Sequence, residues 1–385
     1  MPNHFDVIIA GLGAMGSAAA CHLAKAGQRV LGLDRFAPPH SFGSSHGLTR
    51  IIREAYFEHP VYVPLVQRAY QLWADLEKES GRNLFRQTGG LMIGPPSGVV
   101  VNGARRSAER HQLAHEILSA AQVRERFPAL QPTDEMIAVL EPRAGILFPE
   151  ACIESHLLLA QRHGATLRLN EPISRWEVNG SGVNVATPQA AYHAARLVFT
   201  AGGWVQSLLP ELNLPFTVER QILFWFDARA NASLFGPERC PIHLWEYAPR
   251  RFFYGFPDLG DGVKVARHHE GEKTSADSIR REVSSEEAAS MREILRRFLP
   301  NADGPLRSAV VCMYTNTPDE HFWIDWHPQF SQVLIASPCS GHGFKFSSAI
   351  GEAVCDLVMG GKSRLDLSLF RRRAFAISEK TTAPE

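Results

Sequence analysis

The 385-residue sequence carries no net charge, because 40 lysines and arginines balance 40 aspartates and glutamates. Nucleic acids and anionic membrane surfaces attract proteins with a basic excess, so we expect neither as a main partner of this chain. The sequence also lacks an apolar run long enough to span a bilayer. Its first strand pattern begins by about Phe5, which leaves no room for a signal peptide. These absences favour a protein of the cytoplasm.

The six cysteines are scattered, and they form neither a CxxC pair nor a spacing typical of a metal site. The sequence therefore predicts no disulfide framework and no metal centre. Internal repeats and low-complexity tracts are missing as well. With 45% hydrophobic and 21% charged residues, the composition favours a large core, in two domains or in one domain with a large insertion.

A nucleotide-binding pattern stands near the start of the chain, in the stretch from Phe5 to Asp34. An apolar strand leads into a turn with three glycines, a helix of small residues follows, and a second strand ends on Asp34. Gly11 makes the turn, Gly13 lets the backbone approach a pyrophosphate, and Gly16 lets helix and strand pack closely. Asp34 stands where a carboxylate accepts hydrogen bonds from a ribose. The order of these parts predicts a βαβ dinucleotide-binding unit, whereas glycines alone would also fit a plain loop.

The rest of the chain shows two kinds of pattern. Helices and strands of α/β type recur near 150–205 and at the end, whereas aromatic and β-branched residues between about 215 and 320 indicate an antiparallel sheet. A polar stretch from about Arg105 to Arg126 is predicted to be helical. The fold class is therefore mixed α/β, a Rossmann-like domain with an inserted antiparallel-sheet substrate domain. We assign 1–84, 146–214 and 322–385 to the nucleotide domain, and 85–145 and 215–321 to the substrate domain.

Several further motifs follow the nucleotide pattern in order: GSSHGLTRIIREAY, FYGFP, GVKVARHH, AVVCMYTNTPDEHF and SGHGFKFSSAIGE. With them, the sequence resembles the monomeric sarcosine oxidase and N-methyltryptophan oxidase family of covalent flavoprotein amine oxidases over nearly its whole length. The resemblance implies FAD in the Rossmann-like domain, attached through a thioether to Cys312 of the CMYT motif. From the residues alone, a cysteine on an apolar strand also fits an inert buried thiol.

The resemblance implies five catalytic residues: His46, Arg50, Tyr254, Lys264 and His268. Lys264 would lie near the flavin, where a cation stabilises the charge that develops on oxygen as it is reduced. His46 and Arg50 would line the flavin and hold positive charge near its reduced ring. Without the resemblance, Arg50 equally fits a solvated loop and Lys264 the polar face of a half-buried strand.

The resemblance also implies a substrate pocket. Arg53 and Lys345 match the pair that binds a substrate carboxylate, because arginine supplies a bidentate fork and lysine a point charge. Tyr314 would face the same pocket, with Tyr254 and His268 near the substrate amine and its methyl group. Cofactor contacts are implied in one glycine-rich turn: Gly341, His342 and Gly343. A turn histidine packed against backbone would give the same pattern.

The implied reaction is the oxidation of an N-methyl amino acid, such as sarcosine, by molecular oxygen in a monomeric enzyme. It gives the primary amino acid, formaldehyde and hydrogen peroxide. Ser45, Leu48 and Asn316 depart from the family pattern and leave the substrate open. A cyclic or bulkier amino acid, pipecolate-like or N-methyltryptophan-like, therefore remains an alternative, as does a dehydrogenase that avoids oxygen.

Two alternatives belong to other classes of protein. A nicotinamide-dependent dehydrogenase would share the first 34 residues and would have no need of Cys312. A flavin-binding scaffold without activity would have no need of four cations around an apolar cofactor, namely Arg50, Arg53, Lys264 and Lys345.

Overall fold

The computed structural model describes residues 4–373 and 375. Its helices, in chain order from α1 to α8, are Ala14–Lys25, Tyr62–Ser80, Val99–Arg110, Ala120–Arg126, Pro149–Arg162, Val205–Leu208, Ser285–Phe298 and Ser347–Gly360. Its strands, from β1 to β20, are His4–Ala10, Val30–Leu33, Arg50–Ile52, Phe85–Gln87, Gly90–Gly94, Glu116–Ser119, Ile137–Glu141, Gly145–Leu147, Thr166–Arg168, Arg175–Asn179, Gly182–Ala186, Ala191–Phe199, Thr217–Phe226, Ile242–Ala248, Arg251–Phe256, Val263–His268, Lys273–Thr274, Leu306–Asn316, Trp323–Trp326 and Val333–Ser337. In this part of the chain, no helix is long and apolar enough to cross a membrane.

The first sheet contains the nucleotide pattern. It has eight strands in the order β10-β11-β12-β1-β2-β9, with β20 beside β12 and β19 beside β20. Strand β1 lies between β2 and β12 and is parallel to both, so the run 196–199 is the buried parallel strand that its continuous apolar pattern predicts. Helix α1 packs between α5 and α8, and its small residues permit these close contacts.

The second sheet has nine strands and carries the antiparallel pattern. Its order is β17-β13-β16-β15-β14-β5-β7-β6, and β18 pairs with β13 along its length. Helix α7 packs beneath this sheet through Met291, Leu295 and Phe298. It begins with the capping box that Ser284 and Glu287 predict. A third sheet of three short strands, in the order β3-β8-β4, contains Arg50 of the GSSHGLTRIIREAY motif.

The prediction of a helical stretch from about 105 to 126 is wrong in its middle. Helix α3 ends at Arg110, β6 occupies Glu116–Ser119, and α4 starts only after Ser119. Strand β6 pairs antiparallel with β7, so sheet pairing overrides the helix-forming composition of this stretch. A capping box between Ser119 and Gln122 restarts the helix.

The two large sheets separate along the segments assigned from the sequence. Every strand of the eight-stranded sheet falls within 1–84, 146–214 or 322–385, and every strand of the nine-stranded sheet within 85–145 or 215–321. The outermost residues of the nucleotide segments, 1–3, 374 and 376–385, lie outside the described residues. The division into two domains remains a prediction.

Candidate active site

A cavity of about 430 Å³ has walls from both large sheets and from the loops between them. Of the residues predicted for the site, thirteen line it: Gly11, Gly13, Asp34, Arg50, Arg53, Tyr254, His268, Cys312, Tyr314, Gly341, His342, Gly343 and Lys345. Gly16, His46 and Lys264 are not part of this wall as the described residues form it. The sequence motifs are thus far apart in the chain and meet around one cavity.

One end of the cavity is formed by the nucleotide turn. Gly11 has a φ of +96°, which a glycine adopts without strain. A Cβ at Gly13 would meet no described atom within 4 Å, so the backbone at the start of α1 stays open to a ligand. Asp34 closes this end, and its carboxylate accepts hydrogen bonds from the N–H groups of Leu12 at 2.6 Å and Phe36 at 2.8 Å. These bonds fix the acid that the sequence assigns to the ribose.

Cys312 lies in the middle of β18, paired with Gln221 of β13, and its side chain is buried on the cavity wall. Its sulfur lies 3.7 Å from Nη2 of Arg50 and 3.5 Å from the carbonyl oxygen of Ser44. Arg50 donates to the carbonyl oxygens of Ser44, His46 and Thr49 at 2.6–2.7 Å. The glycine- and serine-rich loop therefore holds a guanidinium beside the cysteine.

Lys264 lies on β16 and is 2% exposed. Its Nζ donates to the carbonyl oxygens of Gly47 at 2.6 Å and Thr49 at 2.9 Å, and to the hydroxyl of Thr49 at 2.9 Å. Burial, with the charge of Arg50 nearby, lowers its pKa well below the ordinary value for lysine. The same loop thus holds both Arg50 and Lys264.

His46 lies in this loop with its Nε2 buried and without a hydrogen-bond partner among the described residues. Burial, together with the charges of Arg50, Arg281 and Lys264, lowers its pKa to about 3. The imidazole is therefore neutral at pH 7, and Arg50 supplies the positive charge on this side of the cavity. Nε2 of His46 is therefore a buried polar atom that no described residue compensates.

The predicted carboxylate-binding pair occupies another part of the wall. Arg53 is 2% exposed, and its Nη2 donates to both oxygens of Glu58 at 2.8 and 2.9 Å. Burial alone would raise the pKa of Glu58, but Arg53, His342 and Lys345 together hold it below its ordinary value. Lys345 is 5% exposed, and burial together with Arg53 lowers its pKa to about 7. This region holds two cationic side chains and one carboxylate.

Two tyrosines and a histidine from the second sheet form the remaining polar wall. His268 Nδ1 lies 3.1 Å from the hydroxyl of Tyr314, and the ring of Tyr254 is 6.2 Å from that of His268. Burial lowers the pKa of His268 well below its ordinary value and raises those of both phenols, so all three side chains are neutral. Gly341, at a φ of +75°, lets the turn approach this group, because a Cβ there would lie 2.7 Å from the Tyr314 ring.

Sequence reasoning missed two residues of this site. Glu58, the partner of Arg53, comes only five residues later, but an acid after an arginine is too common a pattern to mark an ion pair. Tyr56 lies between Arg53 and Lys345, and its hydroxyl is 2.7 Å from Nδ1 of His342. The REAY motif shows that Tyr56 is near Arg53 in the sequence. It does not predict the contacts of Tyr56 with His342 and Lys345, because these segments are almost 290 residues apart.

Comparison with known proteins identifies the family. A family model described as FAD dependent oxidoreductase matches residues 6–357. A monomeric sarcosine oxidase of Streptomyces avermitilis is 44% identical over 98% of this chain and 99% of its own length. An N-methyl-L-tryptophan oxidase of Yersinia pestis is 36% identical, over 96% of this chain and 99% of its own length. The chain belongs to this family of FAD-dependent oxidoreductases.

The relationship predicted from the motifs is thereby confirmed, and the protein is a flavoenzyme. Among solved structures, NikD, an unusual amino acid oxidase essential for nikkomycin biosynthesis, matches with a TM-score of 0.82. The match covers 96% of this chain and 97% of that one at 23% identity, so it bears on the fold alone. It confirms the mixed α/β fold class. The alternatives of a nicotinamide-dependent dehydrogenase and of an inactive scaffold do not agree with these findings.

The residues of this flavoenzyme fit FAD. The open backbone at Gly13 and the N-terminus of α1 suit a pyrophosphate, and Asp34 stands at the end of β2 for a ribose. The same cavity continues to Cys312, where Arg50 provides a cation. A cavity that joins a nucleotide turn to a cluster of buried cations suits a cofactor with a diphosphate at one end and a reducible ring at the other.

Proposed function

We propose that this flavoenzyme oxidises the secondary amine of an N-methyl amino acid such as sarcosine, and yields the primary amino acid, formaldehyde and hydrogen peroxide. One observation carries the proposal: Arg53 and Lys345, both buried, lie on the wall of the cavity that also contains Cys312. In the described part of the chain, Arg53 forms an ion pair with Glu58 and Lys345 forms none, which leaves room for the negative charge of a substrate. The names of the relatives, which are oxidases of sarcosine and of N-methyl-L-tryptophan, support the same class of substrate.

The proposal gives each group on the wall a task. Arg53 and Lys345 bind the carboxylate, with Arg53 using the donors that remain after its bonds to Glu58 and to the Ala55 carbonyl. The same two cations disfavour a third positive charge, so they lower the pKa of a bound ammonium and favour the neutral amine that can be oxidised. Tyr254 and His268, both uncharged, surround the amine end.

The cofactor end of the proposal places FAD on the nucleotide turn and attaches it through Cys312. When bound, FAD accepts two electrons from the amine and passes them to oxygen. Cys312 is supported as the tether by its place on the cavity wall and by Arg50 at 3.7 Å, since reactive cysteines lie beside cationic side chains. Lys264 supplies a positive charge for the reduction of oxygen, held in place by Gly47 and Thr49. A monomeric state and a cytoplasmic location remain part of the prediction.

A peroxide assay on the purified holoenzyme tests the proposal. The substrates are sarcosine, N-methyl-L-alanine, pipecolate and N-methyl-L-tryptophan, with N-methylethylamine as the matched amine without a carboxylate. We expect peroxide and formaldehyde from the N-methyl amino acids, and kcat/KM at least about 100-fold lower for N-methylethylamine, since it loses a charge-assisted pair. Turnover of pipecolate alone would move the substrate to the cyclic amino acids. Absence of turnover with every secondary amine would contradict the proposal.

A further inference from the structure

Tyr56 lies between the two cations of the proposed carboxylate site. Its side chain is fully buried, the guanidinium carbon of Arg53 is 4.3 Å from its ring centroid, and Nζ of Lys345 is 5.1 Å from it. A cation that has lost its water is attracted to the face of an aromatic ring. One ring therefore contacts both cations and compensates part of the hydration that each has lost.

The hydroxyl of Tyr56 donates one hydrogen bond and accepts another, and the tautomer of His342 fixes which is which. Nε2 of His342 lies 2.9 Å from the carbonyl oxygen of Glu320, which only accepts, so Nε2 carries the proton and Nδ1 is an acceptor. The Tyr56 hydroxyl, 2.7 Å from Nδ1, therefore donates to His342. Its oxygen is left to accept from Nζ of Lys345, which is 3.3 Å away.

The surroundings of Tyr56 hold it in one position. Ser107 of α3 donates to its carbonyl oxygen at 2.5 Å. The next residue on the N-terminal side, Ala55, is held through its N–H group by the buried carboxylate of Glu141 at 2.7 Å. The rings of Tyr62 and Phe346 pack against it with centroids 4.8 and 5.2 Å away. The ring is thus fixed from its backbone and from its sides.

We propose that Tyr56 is a positioning residue for the substrate carboxylate. Its ring sets the spacing of Arg53 and Lys345, and its hydroxyl orients the ammonium of Lys345. The inference rests on the proposed function, because it needs a substrate that these two cations bind.

The test measures how the holoenzyme binds acetate, a carboxylate without an amine, from the change in flavin absorbance. We compare Tyr56→Leu with Tyr62→Leu, since Tyr62 is an equally buried tyrosine in the same cluster whose hydroxyl bonds to His321. Tyr56→Leu is expected to weaken acetate binding at least about tenfold, the loss of roughly one buried cation–π contact. Tyr62→Leu is expected to weaken acetate binding clearly less than Tyr56→Leu does, because the Tyr62 ring packs against Tyr56 and contacts neither cation.

The conservative variant separates the hydroxyl from the ring. The hydroxyl oxygen of Tyr56 accepts from Lys345 and so stabilises its charged ammonium. Tyr56→Phe keeps the ring and removes this acceptor. The pH at which acetate binding declines is therefore expected to shift downward, whereas Tyr62→Phe leaves it in place. A merely structural role of Tyr56 would not move this pH profile. If Tyr56→Leu does not fold, Tyr56→Phe alone decides the question.

Unchanged acetate affinity in Tyr56→Leu, or an unchanged pH profile in Tyr56→Phe, would overturn the inference. Equal losses in the Tyr56 and Tyr62 variants would overturn it too, because they would show a general loss of packing. Arg53→Met and Lys345→Met distinguish this failure from that of the proposed function. If neither weakens acetate binding, the carboxylate site itself is wrong; if both do and the Tyr56 variants do not, only the role of Tyr56 is wrong.

Discussion

At the scale of single residues, Lys345 connects the electrostatics of the site with its pH dependence. Burial and the charge of Arg53 lower its pKa to about 7, so its protonation changes near neutral pH. A bound carboxylate stabilises the ammonium and raises that pKa, which means that binding takes up a proton above pH 7. Under the proposed function, Lys345 therefore links substrate affinity to pH within the physiological range.

The first prediction concerns this linkage. Acetate affinity is expected to be nearly constant below the pKa of about 7 and to fall above it, towards about tenfold per pH unit. Flavin-monitored titrations between about pH 6 and pH 9 measure it. In Lys345→Met the affinity should be low throughout and lose this slope. An affinity that rises with pH in the wild-type protein would mean that Lys345 is not a ligand of the carboxylate.

A second prediction concerns Lys264. Its Nζ makes three hydrogen bonds to Gly47 and Thr49 in a buried region, and under the proposed function it carries the positive charge that assists the reduction of oxygen. Lys264→Met is expected to slow the reaction of the reduced enzyme with oxygen about 100- to 1000-fold, the cost of losing a charge that stabilises a developing anion. Anaerobic reduction by substrate should slow far less. Stopped-flow measurement of the two half-reactions tests the difference, and equal slowing of both would point to a general disruption of the loop.

A third prediction concerns Cys312. Acid precipitation of the wild-type protein is expected to leave the yellow flavin in the pellet, because a thioether survives denaturation. Cys312→Ala should release its flavin to the supernatant. Cys339→Ala is the matched control, since Cys339 also lines the cavity. Release of flavin from the wild-type protein would withdraw the tether and leave the flavoenzyme assignment in place.

At the scale of elements, the loop that leads into β3 carries the site. Glu150, in the first turn of α5, accepts hydrogen bonds from the N–H groups of Gly47 at 2.8 Å and Leu48 at 3.1 Å. Lys264 binds the carbonyl oxygens on either side of Leu48. Glu150 therefore holds the loop backbone through its N–H groups, and Lys264 holds it through its carbonyl oxygens.

The hydrogen bonds from the loop to Glu150 and Lys264 hold Leu48 in an unfavourable backbone conformation. Leu48 has a φ of 70° and is 46% exposed, and the Cβ of an L-residue disfavours the left-handed region by about 1–2 kcal/mol. Leu48→Asn, with a residue that tolerates this region, is expected to increase the free energy of unfolding by about 0.5–1 kcal/mol. Leu48→Ala is the control, because it removes the exposed side chain and keeps the Cβ. Denaturant unfolding of the three proteins compares them, and equal gains in both variants would assign the effect to the apolar surface instead.

At the scale of the whole molecule, local patterns could be predicted and long-range contacts could not. The turn at Gly11, the strand that leads to Asp34 and the capping box that Ser284 and Glu287 form depend on neighbours within a few residues, and the structure has all three. Strand β6 was predicted as helix because its pairing partners in β7 lie 18 to 24 residues away. The carbonyl groups that accept from Lys264 are 215 and 217 residues away, so the sequence around Lys264 does not predict them.

The family motifs supplied what local patterns lack. They predicted, from the sequence alone, that Arg53, Cys312 and Lys345 belong to one site, and the structure has all three on one cavity wall. They did not indicate that Glu58 pairs with Arg53 or that Tyr56 contacts both cations, since such contacts follow from three-dimensional packing.

The central claim is that a carboxylate held by two buried cations directs a secondary amine to the flavin. The most direct measurement is to mix the holoenzyme with sarcosine in the absence of oxygen and to follow the flavin absorbance. The account predicts that the flavin bleaches, that air restores its colour with one peroxide per flavin, and that N-methylethylamine at the same concentration bleaches it far more slowly. A flavin that sarcosine and the other N-methyl amino acids leave oxidised, or that N-methylethylamine reduces equally fast, would contradict it.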